Sequence, residues 1–395
     1  MAGQDDGRPT LSLSALDFDG DSTYTESTFN NELERADHVA LTTAPSLIQG
    51  GISGAEDVDV YNLGPIAAGD RILVTMTTDD SLDGAVALFD EAGDALLVND
   101  HRNLYLGKSG PFVDVVIRRA SAACFVAVSA TPGYPAKGAY ALVASKESPV
   151  STPLPRPATV LLVFDGGGNV RIGGRPAVDV PTFDASDISS DYASDTDAIM
   201  HQVADAVRAD YRAFDVTILS TSEGAVFDGQ MTRVFFGTYD PALLGVAEGV
   251  DEFNAVAAQD AIVFTDTFEA FMALRPSVPQ MSRAIANVAS HEIGHLVGLV
   301  HTSDPAEIMD VTASLAELME PQVFAVAPLN PEVFPLGNQD AVQSLLDSVG
   351  GNPLLAAVKA LRPNRDSITD KARVDRRPAR SLVHLSSCGV CNTHR

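Results

Sequence analysis

Between residues 24 and 147 apolar and polar residues alternate in short runs closed by Gly and Asp turns: DVDVYNLG, RILVTMTT, AVALFD, ALLVN, PFVDVVIRR, ACFVAVSA and GAYALVAS. Within 71–77, Ile72, Val74 and Met76 fall on one face of a two-residue repeat, the signature of a half-buried strand. Runs recurring about every ten residues predict an antiparallel β-sandwich of roughly eight strands. Residues 148–157, SPVSTPLPRP, carry four prolines in ten positions and predict a stiff linker and a domain boundary.

Beyond the linker the period changes. A strand is predicted at 159–164 (TVLLVF), then a helix at 195–214, where Ile199, Val203, Ala206, Val207 and Tyr211 share a helical face. Strands at DVTILST, TRVFFG and AIVFTD follow, then a second helix at 282–299. This order predicts an α/β domain with a mixed sheet over 158–349. Residues 1–23 and 350–395 read as tails; from Leu361 the second holds eight Arg/Lys against three Asp, and could serve as an arm for an acidic surface.

Composition narrows the partners. No run of 18 apolar residues occurs, so no membrane span is expected, and a net charge of −27 argues against nucleic acid. Asp outnumbers Glu 38 to 15 and only five residues are Lys, which suits a salt-tolerant surface or oxygen-ligand calcium sites. The run Asp17, Asp19, Gly20, Asp21 lacks the spacing of a calcium loop, with Thr28 at its twelfth position, and reads as solvated tail. Cys124, Cys388 and Cys391 are too few for a disulfide framework: Cys124 sits in an apolar strand pattern, and the CxxC pair has no second pair to complete a zinc site. The first residues show no basic, then apolar, export signal.

The decisive segment is HEIGHLVGLVH, 291–301. Four residues of helix turn about 400°, so His291 and His295 lie on one face and can reach one metal ion. Gly298 can take a positive φ, end the helix and let the chain swing His301 back as a third nitrogen ligand, leaving one position open as catalytic zinc requires. Glu292 is the general base of this pattern, placed to take a proton from water at the metal. Chance occurrence at this chain's own residue frequencies is roughly 1 in 10⁵, which sets aside three unrelated surface histidines.

HExxHxxGxxH resembles the metzincin clan of zinc endopeptidases, whose other mark is a methionine turn. Ala306-Glu307-Ile308-Met309-Asp310 looks like that turn, and the short gap before Met309 is closest to the matrixin-like branch. The resemblance implies an active-site helix carrying His291, Glu292 and His295, a zinc site completed by His301, a protein or peptide substrate, and a secreted or cell-surface setting. Asp310 and Val311 stand where astacins and serralysins place a tyrosine, so oxyanion stabilisation should fall to the metal and backbone donors. By the same resemblance Asp184, Asp187 and Asp191 could hold structural calcium; a solvated loop is the plainer reading. Residues 24–147 resemble the bacterial pre-peptidase C-terminal domain, a jelly-roll-like accessory module, though here it comes first.

Two rivals have distinct consequences. In gluzincin-type peptidases a later glutamate completes HExxH, which would give Glu317 or Glu320 the third position. A non-catalytic adhesion or binding protein could instead use the β-sandwich and keep zinc as a structural ion. Substrate preference and oligomeric state are left open by the sequence.

Overall fold

The computed structural model describes residues 23–27, 29–79, 81–100 and 110–355. The expectations placed on 1–22, Thr28 and 356–395, the Cys388 and Cys391 pair among them, lie outside the described residues. The chain divides into two compact units: one runs to Leu154 and includes Val326–Asp340, the other takes Pro155–Ala325 and the chain from Ala341.

In the first unit the strands are β1 (Thr23–Thr25), β2 (Asp37–His38), β3 (Ser46–Ile52), β4 (Val58–Ile66), β5 (Arg71–Thr78), β6 (Gly84–Phe89), β7 (Ala95–Asn99), β8 (Phe112–Val116), β9 (Ser121–Ala130) and β10 (Gly138–Glu147). They form two five-stranded sheets, β1-β3-β10-β5-β8 and β2-β4-β9-β6-β7, antiparallel except where β1 joins β3 and β2 joins β4. Ile72, Val74 and Met76 are fully buried, as their alternation requires. Side chains of the two sheets meet where Tyr61 and Tyr140 share a 2.6 Å hydrogen bond and Tyr140 donates to the buried Asp59 at 2.7 Å. Two strands exceed the predicted eight because TYT and DH are too short and too polar to show alternation. Cys124 is buried, and desolvation pushes its thiol up to about 12.

The second unit starts with β11 (Ala158–Val163), the hairpin β12 (Gly167–Val170) and β13 (Val178–Val180), and helix α1 (Thr196–Tyr211). Then come β14 (Val216–Ser220), β15 (Thr232–Phe236), β16 (Gly245–Ala247), β17 (Asp260–Val263) and helix α2 (Val278–Leu296). The sheet order is β14-β11-β15-β17-β16; the first four strands are parallel and β16 is an antiparallel edge, so the sheet is mixed. Along β11 the side chains alternate between two cores. Val160, Leu162 and Phe164 pack toward the helices, whereas Leu161 and Val163 join Val170 and Val180 of the hairpin. α1 buries Ile199, Val203, Val207 and Tyr211 on one stripe. α2 is buried almost throughout its second half, and its start is fixed by Pro279 and a capping box between Ser277 and Gln280.

Short helix α3 (Leu315–Leu318) follows, then β18 (Val326–Pro328) and β19 (Asn338–Asp340), and helix α4 (Ala341–Ser348) closes the described chain. Residues 326–340 group with the first unit for identifiable reasons. Phe334 is fully buried with its ring 5.8 Å from that of Phe89, and the Asn338 amide donates to the Gly93 carbonyl at 2.9 Å. Among the described residues no helix is long and apolar enough to cross a membrane.

Candidate metal centre

α2 carries His291, Glu292 and His295, and its C-terminus decides where His301 goes. Gly298 has φ +103°, a conformation that residues with a Cβ rarely adopt. Its amide donates to the His295 carbonyl at 3.0 Å and the Leu299 amide to the Gly294 carbonyl at 2.9 Å, the paired bonds of a Schellman cap. A Cβ on Gly298 would lie 3.1 Å from the Asp251 carbonyl oxygen, so the position is tight as well as left-handed. The reversed chain brings the His301 ring 4.7 Å from that of His295, centroid to centroid.

The three imidazoles converge. His295 Nε2 lies 3.1 Å from His291 Nε2 and 3.0 Å from His301 Nε2, and all three residues are buried. His291 Nδ1 is 2.8 Å from the Ile308 carbonyl and His295 Nδ1 is 2.8 Å from the Leu299 carbonyl. A carbonyl can only accept, so each Nδ1 carries the hydrogen and each neutral ring presents a bare Nε2 lone pair. Burial pushes His291 down to about 4, and burial with His291 alongside pushes His295 down to about 3; His301 is held well below its ordinary value by burial and by both neighbours. At neutral pH two lone pairs therefore face each other with no proton to share. A cation between them resolves the repulsion: tetrahedral ligation at about 2.0–2.1 Å sets nitrogens roughly 3.3 Å apart. The donor set thus fits zinc, and the carbonyls behind His291 and His295 fix tautomer and ring orientation.

Glu292 is 2% exposed, and its Oε1 packs against Gly245 on β16, where an added Cβ would overlap it. Gly245, His291 and Glu292 line a cleft of about 70 Å³ together with Val288, Ile308 and Asp310. Met309 is fully buried, its thioether against Gly294, another position with no room for a Cβ. Asp310 turns its carboxylate back to the Thr312 and Ala313 amides and the Thr312 hydroxyl.

Among the described residues His291, His295 and His301 are the one group of three His, Cys, Asp or Glu whose ligand atoms lie within 4.8 Å of one another. Glu317 does not belong to it: exposed, it accepts from the Ser314 amide and hydroxyl in the capping box of α3. Glu320 is exposed too, its carbonyl taken by the Asn287 amide group. Asp184, Asp187 and Asp191 are exposed on two short turns, and Asp184 caps the first through the Ser186 amide. Sequence reading passed over Gly245 and Gly294; only GVA and HEIGH spacing marked them, and neither shows what approaches.

Behind α2, Tyr211 donates to the Ser290 carbonyl at 2.7 Å, and Asp210 accepts from the Ser290 hydroxyl at 2.8 Å and from Arg283 at 3.5 Å. Desolvation outweighs those bonds and pushes Asp210 up to about 6. Between about pH 4 and 6 the folded chain then holds a proton that the unfolded chain has lost. This carboxyl makes stability rise as pH falls through that window, by an amount on the order of 3 kcal/mol. Urea unfolding of wild type and Asp210→Asn should show the wild type gaining on the variant as pH drops from 7 to 4; parallel curves would contradict the assignment.

Residues 191–323 match the family model of the matrixins, Peptidase_M10. The resemblance to the matrixin-like branch holds over that stretch. With the histidine group, the matrixin match supports a zinc-dependent peptidase, a hydrolase acting on protein or peptide. No curated protein matches the chain. Among solved structures it is similar to archaemetzincin from Methanopyrus kandleri, at 16% identity over 42% of this chain and 87% of that one, TM-score 0.25. It is also similar to a zinc-dependent peptidase from Methanocorpusculum labreanum, at 15% identity over 42% and 94%, TM-score 0.25. A third likeness is to PliG from Aeromonas hydrophila, a periplasmic inhibitor of g-type lysozyme, at 12% identity over 32% and 98%, TM-score 0.23.

Proposed function

We propose that this chain is a zinc-dependent endopeptidase in which His291, His295 and His301 hold the metal and Glu292 is the general base. The observation that carries this reading is the convergence of three buried imidazoles, with His295 Nε2 3.1 Å from His291 Nε2 and 3.0 Å from His301 Nε2, and with the Nδ1 atoms of His291 and His295 each 2.8 Å from a backbone carbonyl. When bound there, zinc would supply Lewis acidity, polarising a scissile carbonyl and making water more acidic. Glu292, next in sequence to a ligand and facing the cleft beside Gly245, takes the proton of the attacking water and returns it to the departing amine.

Cleavage inside a chain needs a site open along an extended peptide. β16 supports that requirement: it pairs with β17 on one side, and among the described residues no strand pairs with its other side. An extended substrate can add to this edge antiparallel or parallel and pass Glu292 without presenting a terminus. The N-terminal unit is assigned as a jelly-roll-like accessory module of the pre-peptidase C-terminal kind, acting as an anchor on large substrates or surfaces in a secreted setting. Calcium at Asp184, Asp187 and Asp191 is a separate and subsidiary assignment.

Mass spectrometry of an unstructured protein substrate after incubation with the full chain tests the endopeptidase reading. Fragments from internal cuts are expected from the earliest time points, and a chelator should abolish them. Stepwise loss of single residues from one end would contradict it.

A further inference from the structure

Between His301 and Met309 the chain makes a closed loop. The Thr302 amide donates to the Met309 carbonyl at 2.9 Å, and the Val311 amide to the Thr302 carbonyl at 3.3 Å. Inside the loop lies Glu307, 1% exposed. A single oxygen of its carboxylate, Oε2, accepts from the Thr302 hydroxyl and from the Met309 amide, both at 2.7 Å. The loop is also held from outside, where the Ile308 amide donates to the Val323 carbonyl at 3.2 Å and the Val323 amide to the Ala306 carbonyl at 3.1 Å.

Both ends of that bridge lead to the histidine group. Thr302 is covalently next to His301. Ile308, between Glu307 and Met309, supplies the carbonyl that takes the His291 Nδ1 hydrogen, and the Met309 thioether fills the space against Gly294 on α2. An apolar side chain at 307 could fill the volume but could not pair the Met309 amide, and a buried acid is costly unless its bonds are used. We propose that Glu307 is a positioning residue for the metal centre: by tying Thr302 to the Met309 amide, it fixes the backbone of His301 relative to the carbonyl that orients His291. The inference rests on the reading of these histidines as ligands.

The test uses the full chain, with wild type, Glu307→Ala, Glu307→Gln and Thr302→Val. Zinc affinity is measured by competition with a chromophoric chelator, the visible spectrum is recorded after Co²⁺ substitution, and circular dichroism reports folding of the metal-free proteins. Glu307→Ala should weaken zinc binding roughly 10- to 100-fold, the range for lost outer-shell partners, and change the cobalt bands. Glu307→Gln keeps an oxygen acceptor and should recover most of the affinity. Thr302→Val, which keeps the side-chain volume and loses one donor, should shift affinity and spectrum in the same direction as Ala. If Glu307→Ala does not fold, Thr302→Val decides. Folded Thr302→Val or Glu307→Ala protein with wild-type affinity and an unchanged cobalt spectrum would overturn the proposal, whatever its melting temperature. A folded wild type that binds no zinc would overturn both the proposal and the ligand reading beneath it.

Discussion

Glu292→Gln should retain zinc and lose hydrolysis by roughly 10²- to 10⁴-fold, the span associated with a positioned acid–base group. Glutamine nearly matches the carboxylate in shape, so packing against Gly245 and the buried second half of α2 should be preserved. The amide cannot take a proton from water at neutral pH, which isolates the chemistry from the fold. The loss should appear in kcat, with KM for a fluorescence-quenched peptide little changed, because the side chain is assigned to the reaction and not to peptide binding. Turnover near wild type in zinc-loaded Glu292→Gln would mean that another group is the base. Asp310 would be the next candidate, since it lines the same cleft.

His295→Ala should have the second large effect, because its Nε2 is within 3.1 Å of both other imidazole nitrogens and its loss opens the middle of the group. Zinc content should fall from about one per chain to near zero after dialysis, and hydrolysis should fall with it. Stability should drop too, since a metal that binds only the folded chain contributes about 4 kcal/mol when present at a thousand times its dissociation constant. Chelator treatment of wild type should reproduce the lower melting temperature, and added zinc should restore wild type but not His295→Ala. Equal zinc content in the two proteins would remove His295 from the ligand set. The same comparison for His301→Ala against Glu317→Ala and Glu320→Ala separates the three-histidine arrangement from the gluzincin-type rival.

What could be read from the sequence was what repeats or what is chemically rare. α1 announced itself through Ile199, Val203, Val207 and Tyr211, because a helix on a sheet must bury a stripe of period near four. The second helix, expected at 282–299, spans Val278–Leu296; the Ser277 and Gln280 capping box and Pro279 mark its start. HExxHxxGxxH stood out because three histidines and a glycine in one register are improbable without a shared ligand. β16 was missed: three residues, GVA, are too few to show a period, and its place at the end of the sheet order among the described residues is a tertiary fact. Gly245 and Gly294 could not be singled out from other glycines, since their cause is the approach of Glu292 and Met309 from distant parts of the chain. Glu307 stood in the methionine-turn segment with no role of its own; its burial and its bond to the Met309 amide are tertiary facts. The grouping of 326–340 with the N-terminal unit depends on Phe334 meeting Phe89, a pairing across more than two hundred residues that no local pattern encodes.

Metal analysis of the purified full chain by inductively coupled plasma mass spectrometry, on the same samples assayed for peptide cleavage, tests the central claim most directly. About one zinc per chain is expected, with activity that disappears when a chelator strips the metal and returns when zinc is added back. Folded protein that has been offered zinc and holds none, or that cleaves peptides equally well without it, would contradict the assignment of His291, His295 and His301 as a catalytic metal site.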